Sequence, residues 1–321
     1  MPLLDATYTG PPFYLFNGHL ETIIPSLYRI VAGVTYDREK IDTPDGDFLN
    51  LDWSTVESGK LLIISHGLEG DSQRHYVRGL VKLFNASKID VLVWNNRSCG
   101  GEINLSPILY HHGASYDLEV VIDHAIQSGG YQELYLAGIS MGGAQTLKYL
   151  GEKGQDLPTQ IKRAAVYSTP CNLPSSAATL KSRRNAFYKN RFLGKLKKKI
   201  AAKAVQFPDK IDLELLERIR DFDEFDTHFT AKLHGFKDAS DFYQAVSADN
   251  WMSDIAIPTL IINALNDPLL GTKCYPFKLA ETKEEILLQT PKRGGHTGFI
   301  QRNSEFTWAE LRLRDFLLAT P

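Results

Sequence analysis

Ser140 lies in Gly138-Ile139-Ser140-Met141-Gly142, with Gly143 next, between the apolar run Glu133–Ala137 and a helical pattern over Ala144–Leu150. A serine on a sharp strand-to-helix turn has a strained backbone, and small residues two positions either side relieve the crowding. The nearby helix start favours negative charge. The pentapeptide arises by chance in many chains; its flanking strand and helix make Ser140 a candidate nucleophile. Such a serine needs a base to remove its proton and an acid to orient the base, in the order Ser, Asp or Glu, His. Asp267 follows the apolar run Thr259–Ala264 within Asn266-Asp267-Pro268 and is the candidate acid. His296 lies in Gly294-Gly295-His296-Thr297-Gly298, after a run ending near Gln289, and is the candidate base. Alone, the first could be a turn former and the second a surface residue; their order after successive strands argues otherwise. The charge developing on a substrate oxygen requires two aimed donors. The Met141 N–H is one candidate and the Leu68 N–H the other, in His66-Gly67-Leu68-Glu69-Gly70 after Leu61–Ser65. His66, at a strand end, is expected to act as a structural hydrogen-bonding group.

Other chemistry-bearing residues read more plainly. His111-His112 looks like a metal pair, but adjacent side chains diverge and no carboxylate or cysteine cluster completes a site, so no metal and no other cofactor is expected. Asn95 to Gly101 is expected to shape a loop at a strand end, and Cys99 has no evident activating partner. The basic run Lys195 to Lys199 could attract anionic head groups or phosphates, but a solvated helix face is the commoner meaning of such a run and is the expectation.

These residues need a frame to hold them. Tyr36 to Trp53 alternates around Pro44-Asp45-Gly46 and reads as a hairpin. Lys60–Ser65, Asp90–Asn95, Glu133–Ala137, Arg163–Ser168 and Thr259–Ala264 are short apolar runs, as strands buried on both faces of a parallel sheet require. Helical patterns at Tyr76–Asn85, Tyr116–Gln127 and Gly143–Glu152 separate them. The expectation is an α/β architecture: a mostly parallel central sheet with helices on both faces. The stretch before the hairpin, Pro11 to Ile30, reads as an irregular arm. From about Pro174 to Val246 the strand rhythm stops and the composition turns basic, then mixed. Three segments follow: a first core part at 1–173, a helical cap insert at 174–246, and a second core part at 247–321 that contains the run Glu285–Gln289 and an amphipathic helix over Trp308–Leu318. The insert is expected to cover the site and select the acyl chain, with Phe187, Tyr188, Phe192 and Leu193 lining an apolar pocket.

Composition narrows the class. Of the 321 residues, 43% are hydrophobic and 23% charged, which suits a folded enzyme-sized chain rather than a disordered one. The net charge of −2 gives no electrostatic reason to expect nucleic acid. Met1 to Pro12 has neither a basic nor an apolar leader segment, and no apolar run approaches the ~20 residues that span a bilayer. A cytoplasmic protein without stable membrane insertion is expected, acting on a small ester or lipid-like molecule. Its oligomeric state is left open. The three cysteines are expected to be reduced and buried.

Seven motifs in order bring a family resemblance. They are Gly18-His19-Leu20-Glu21-Thr22-Ile23, His66 to Gly70, Asn96-Arg97-Ser98-Cys99-Gly100-Gly101, Tyr110-His111-His112-Gly113, Gly138 to Gly143, Asn266-Asp267-Pro268 and Gly295-His296-Thr297-Gly298-Phe299. Together they resemble the YheT-like branch of the α/β-hydrolases, over nearly the whole chain. The resemblance implies the α/β-hydrolase fold and a carboxylesterase of short- to medium-chain acyl groups, with Ser140, Asp267 and His296 as the triad. Relatives of this branch include ethyl-ester synthases and phospholipid-cleaving enzymes. Two positions depart from the pattern: Ser98, where glycine is usual, and Ala144, where asparagine is usual. The residues also admit two other functions, an acyltransferase that passes the same acyl-enzyme to an alcohol and a non-catalytic binding protein of this fold.

Overall fold

The computed structural model describes residues 3–319; Met1, Pro2, Thr320 and Pro321, the outer ends of the two expected core segments, lie outside the described residues. One sheet organises the chain. Its strands are β1 (Asp37–Asp42), β2 (Phe48–Ser54), β3 (Lys60–Ser65), β4 (Asp90–Asn95), β5 (Glu133–Ile139), β6 (Ile161–Tyr167), β7 (Thr259–Ile262) and β8 (Ile286–Gln289). Their order is β1-β2-β4-β3-β5-β6-β7-β8. The β1–β2 hairpin turns at Pro44-Asp45-Gly46, where Gly46 takes φ 76°, and β2 runs antiparallel to β4. Every later pairing is parallel.

The lack of alternation in the strands has a direct cause. Successive side chains point to opposite faces, and both faces are covered. On β3, Leu61 and Ile63 pack with α3 (Ser115–Gly129) and α4 (Met141–Lys153), whereas Leu62 and Ile64 pack with α2 (His75–Ala86) and the C-terminal helix Trp308–Leu317. Each fully buried aliphatic side chain stabilises the fold by roughly 1.5–3 kcal/mol relative to exposure. The parallel register also levels the carboxyl ends. Ser65 pairs with Gly138, Ile139 with Tyr167, Tyr167 with Ile262 and Ile262 with Gln289. The loops after β3, β5, β6, β7 and β8 therefore all leave from one edge, where this class of sheet places its ligands.

The arm is less irregular than its sequence suggests. Gly18–Tyr28 forms a helix, α1, capped by the Asn17 side chain, which accepts from the Leu20 N–H at 2.9 Å. Pro25 sits inside it, a position that removes a helical hydrogen bond and disfavours the element in isolation. Tertiary contacts offset that cost: α1 buries Glu21, Thr22 and Pro25 against the loops at the sheet edge. Behind it, Arg29 forms a bidentate pair with the buried Glu310, at 2.6 and 2.7 Å. Glu310 also closes a capping box with Thr307 at the start of the C-terminal helix.

Between β6 and β7 the chain forms α5 (Leu173–Lys181), α6 (Ala186–Ala204), α7 (Leu213–Arg218) and α8 (Phe222–Phe225), then a π-helical turn (Asp226–Ala231), α9 (Lys232–His234) and α10 (Ala239–Val246). Leu193, Leu196, Ile200, Phe225 and Phe229 form a cluster of their own there. The basic run on α6 is not a solvated face throughout. Lys199 is held by Glu69 at 2.8 Å, and the nearby Lys203 donates to the Ser106 carbonyl. Their long stems reach acceptors on distant loops, which the local pattern could not reveal.

Candidate active site

Ser140 sits between β5 and α4 with φ 55° and ψ −121°, a conformation that non-glycine residues rarely adopt. The glycines around it are dictated by space. A Cβ on Gly142 would lie 2.1 Å from the Ser65 carbonyl oxygen, and one on Gly138 would lie 2.6 Å from Gly142 O. With those approaches allowed, the serine hydroxyl projects over the carboxyl edge. His296 Nε2 lies 2.9 Å from Ser140 Oγ, and His296 Nδ1 lies 2.8 Å from Asp267 Oδ2. The structure thus brings the three predicted residues into one hydrogen-bonded chain. Asp267 Oδ1 accepts from the Leu269 N–H at 2.9 Å, which fixes the carboxylate's orientation.

The predicted donors flank the serine. Met141 is the first residue of α4, so its N–H has no partner within the helix. Leu68 follows Gly67, whose Cβ position lies only 3.1 Å from Ser140 Cβ. His66 shapes this loop. Its Nδ1 donates to the Gly67 carbonyl at 2.8 Å, and its Nε2 accepts the Asn96 N–H at 3.1 Å. Burial holds its pKa down at about 4, so the ring is neutral at pH 7. Next along, Glu69 receives hydrogen bonds from Tyr110 and Lys199. Cys99 does have a cationic neighbour, Lys199 Nζ at 3.1 Å, although burial raises its thiol pKa. Cys99, Cys171 and Cys274 are all free and buried. His111 accepts the Gly113 N–H through Nδ1 and stands edge-on to His234, with ring centroids 4.4 Å apart. Ser98 has φ 62°, which explains why glycine would be at home there.

The sequence reading gave no role to Glu21, Thr22 and Arg293. Glu21, 1% exposed, accepts from Asn266 Nδ2 at 3.0 Å, from Arg293 Nε at 2.6 Å and from the Gly294 N–H at 2.5 Å. Thr22 Oγ1 accepts the His296 N–H at 2.8 Å and donates to the Gly18 carbonyl at 2.6 Å. Helix α1 therefore clamps the loop of Asp267 to the loop of His296. Its only local signal is a carboxylate in a first helical turn, which ordinarily means no more than dipole complementarity.

Two chambers meet at Ser140 and His296, and Leu68, Phe192 and Leu269 line both. One runs under the helices between β6 and β7 and is walled by Leu109, Leu173, Leu180, Leu196, Phe225 and Phe242. The other opens past Ile23 and Leu27 of α1 and Phe187 and Tyr188 of α6. Phe192 faces both, but Leu193 packs into the helical cluster instead of a chamber wall.

Comparison with known proteins bears on the family and the fold. A family profile described as alpha/beta hydrolase fold matches residues 60–302. The chain is similar to YheT of Escherichia coli (strain K12), which bears an esterase name, at 31% identity over 94% of this chain and 90% of that one. It is also similar to phospholipase ABHD3 of Bos taurus, at 27% identity over 94% of this chain and 75% of the relative. Among solved structures, the Pyrococcus furiosus esterase Pf2001 superposes with a TM-score of 0.58 at 16% identity, covering 98% of this chain and 97% of its own, a likeness of fold.

Proposed function

The chain belongs to the α/β-hydrolase family, in its YheT-like branch, and from that premise we propose that it hydrolyses carboxylic esters through an acyl-enzyme on Ser140. His296 Nε2 takes the hydroxyl proton as Ser140 Oγ bonds to the ester carbon, and Asp267 stabilises the imidazolium that results. The carbonyl oxygen becomes an oxyanion held by the N–H groups of Leu68 and Met141. Collapse breaks the bond to the alcohol oxygen, which leaves with the proton from His296. Water then gives a proton to His296 and adds to the acyl carbon; a second collapse returns that proton to Ser140 and frees the acid. The observation that carries this reading is the chain Ser140–His296–Asp267, at 2.9 and 2.8 Å, placed where the two chambers meet.

The apolar chamber suits the acyl chain, and the helices of 174–246 act as its cap. No helix among the described residues is long and apolar enough to cross a membrane, and three buried free thiols suit a reducing compartment such as the cytoplasm. The test is a chain-length series of p-nitrophenyl esters on the wild type and Ser140→Ala. The variant is expected to lose at least about a thousandfold in kcat/KM; a folded variant with a near wild-type rate would sink the proposal. Labelling of Ser140 by a fluorophosphonate separates an enzyme from a binding protein of the same fold. Product partition with an added short alcohol separates hydrolysis from acyl transfer.

A further inference from the structure

The chamber that opens past α1 differs from its apolar counterpart in charge. Arg74, Arg191 and Lys195 all line it together with Ser140, and no aspartate or glutamate is among its lining residues. Arg191 and Lys195 are four residues apart on α6, so they share one face of that helix. Like charges at that spacing destabilise a helix unless something of opposite sign joins them. None of the three forms an ion pair among the described residues, although the protein carries 38 acidic side chains against 36 basic ones. Their polar contacts are with backbone: Arg74 donates to the Glu69 carbonyl at 2.5 Å, and Lys195 reaches the same oxygen only at 3.4 Å. Burial, followed by the nearby Arg74, lowers the pKa of Lys195, and the Glu69 carboxylate only partly opposes that shift.

Resting on the ester-hydrolase reading, we propose that Arg74, Arg191 and Lys195 form a subsite for a negatively charged leaving group, a phosphate borne on the alcohol part of the ester. The geometry divides the substrate in two. Its acyl chain enters the chamber walled by Leu173, Leu196 and Phe225, and its phosphorylated alcohol remains in the chamber that opens to solvent. Arg191 is solvent-exposed, Lys195 and Arg74 are half-buried, and Arg74 is tied to the loop carrying Leu68, so the three cations line the chamber from its solvent-exposed side inward. An anion there would be drawn in by a field concentrated in the cleft, and fork-shaped guanidinium groups suit phosphate oxygens. Hydrolysis would release an apolar acid on one side and a phosphorylated alcohol on the other.

The experiment compares three octanoyl esters: of glycerol (neutral), of glycerol 3-phosphate (anionic) and of glycerophosphocholine (zwitterionic). The anionic ester is expected to exceed the neutral one in kcat/KM by about tenfold or more at low ionic strength, an advantage that shrinks in 0.5 M NaCl. Arg191→Gln and Lys195→Gln should each lower the anionic-to-neutral ratio several-fold, about tenfold in the double variant, while Lys195→Arg preserves it. Thermal melting checks that each variant is folded. A wild-type ratio of one or less would overturn the proposal, as would a ratio that the glutamine variants leave in place. Preference for the phosphocholine ester alone, with the phosphate monoester no better than the neutral ester, would also overturn it, because it would point to recognition of the choline. If no ester is turned over, the neutral one included, the ester-hydrolase reading itself fails and takes the subsite with it.

Discussion

At the scale of single residues, the buried carboxylate of Glu21 links two loops that are neighbours only in the folded chain. Its partners Asn266 and Gly294 flank Asp267 and His296 respectively. Glu21→Gln keeps the size but removes the charge, and its amide NH₂ would face the Asn266, Arg293 or Gly294 donors from which the carboxylate now accepts. The expected outcome is a kcat lower by about ten- to a hundredfold with KM little altered, because a slight displacement of His296 would weaken the proton transfer proposed for it. Steady-state kinetics and a pH–rate profile on the folded variant check it; an unchanged kcat would show that the clamp is dispensable. That Ser140, Asp267 and His296 would meet was legible in the sequence because each follows its own strand, and a strand's end is a local signal. Glu21 was not, since its contacts lie 245 to 273 residues away along the chain. No local pattern can pair residues over that distance.

The elements divide in the same way. The strands were legible because burial on both faces writes itself into a short apolar run, and the observed strands fall within two or three residues of those runs. Helix α1 was hidden by Gly18 and Pro25, which lower its local propensity; its stability comes from the surfaces it covers. The lysines of α6 misled for a related reason, since acceptors such as Glu69 belong to other segments. Arg29, which follows α1, pairs with the fully buried Glu310 of the C-terminal helix. Arg29→Met would leave that carboxylate without its cation, and about 3–5 kcal/mol of destabilisation is expected. Urea unfolding of the wild type and the variant reads this directly. A loss below ~1 kcal/mol would mean that Glu310 takes up a proton instead at little cost.

For the whole molecule, the histidines set a response to acid. Burial depresses the pKa of His66, His112 and His234 from 6.5 to about 4. The unfolded chain therefore binds these protons at a higher pH than the folded one. Stability from this source is fully present above pH 6.5 and is lost as the pH falls toward 4, by at most roughly 3 kcal/mol per group. The urea midpoint is expected to drop steadily between pH 7 and pH 4.5, and a flat midpoint over that range would contradict the assignment. A different consequence follows from the Glu21–Arg293 contact, whose members are 272 residues apart. A ribosome adding about 5–20 residues per second takes roughly 14–54 s to travel from one to the other. The serine turn and its donor loop can form well before then, but the histidine has neither been made nor given its anchor. Under the proposed mechanism a nascent chain stays inert toward esters until the ribosome has passed His296, and a fragment released before that point lacks the base whatever else it manages to fold.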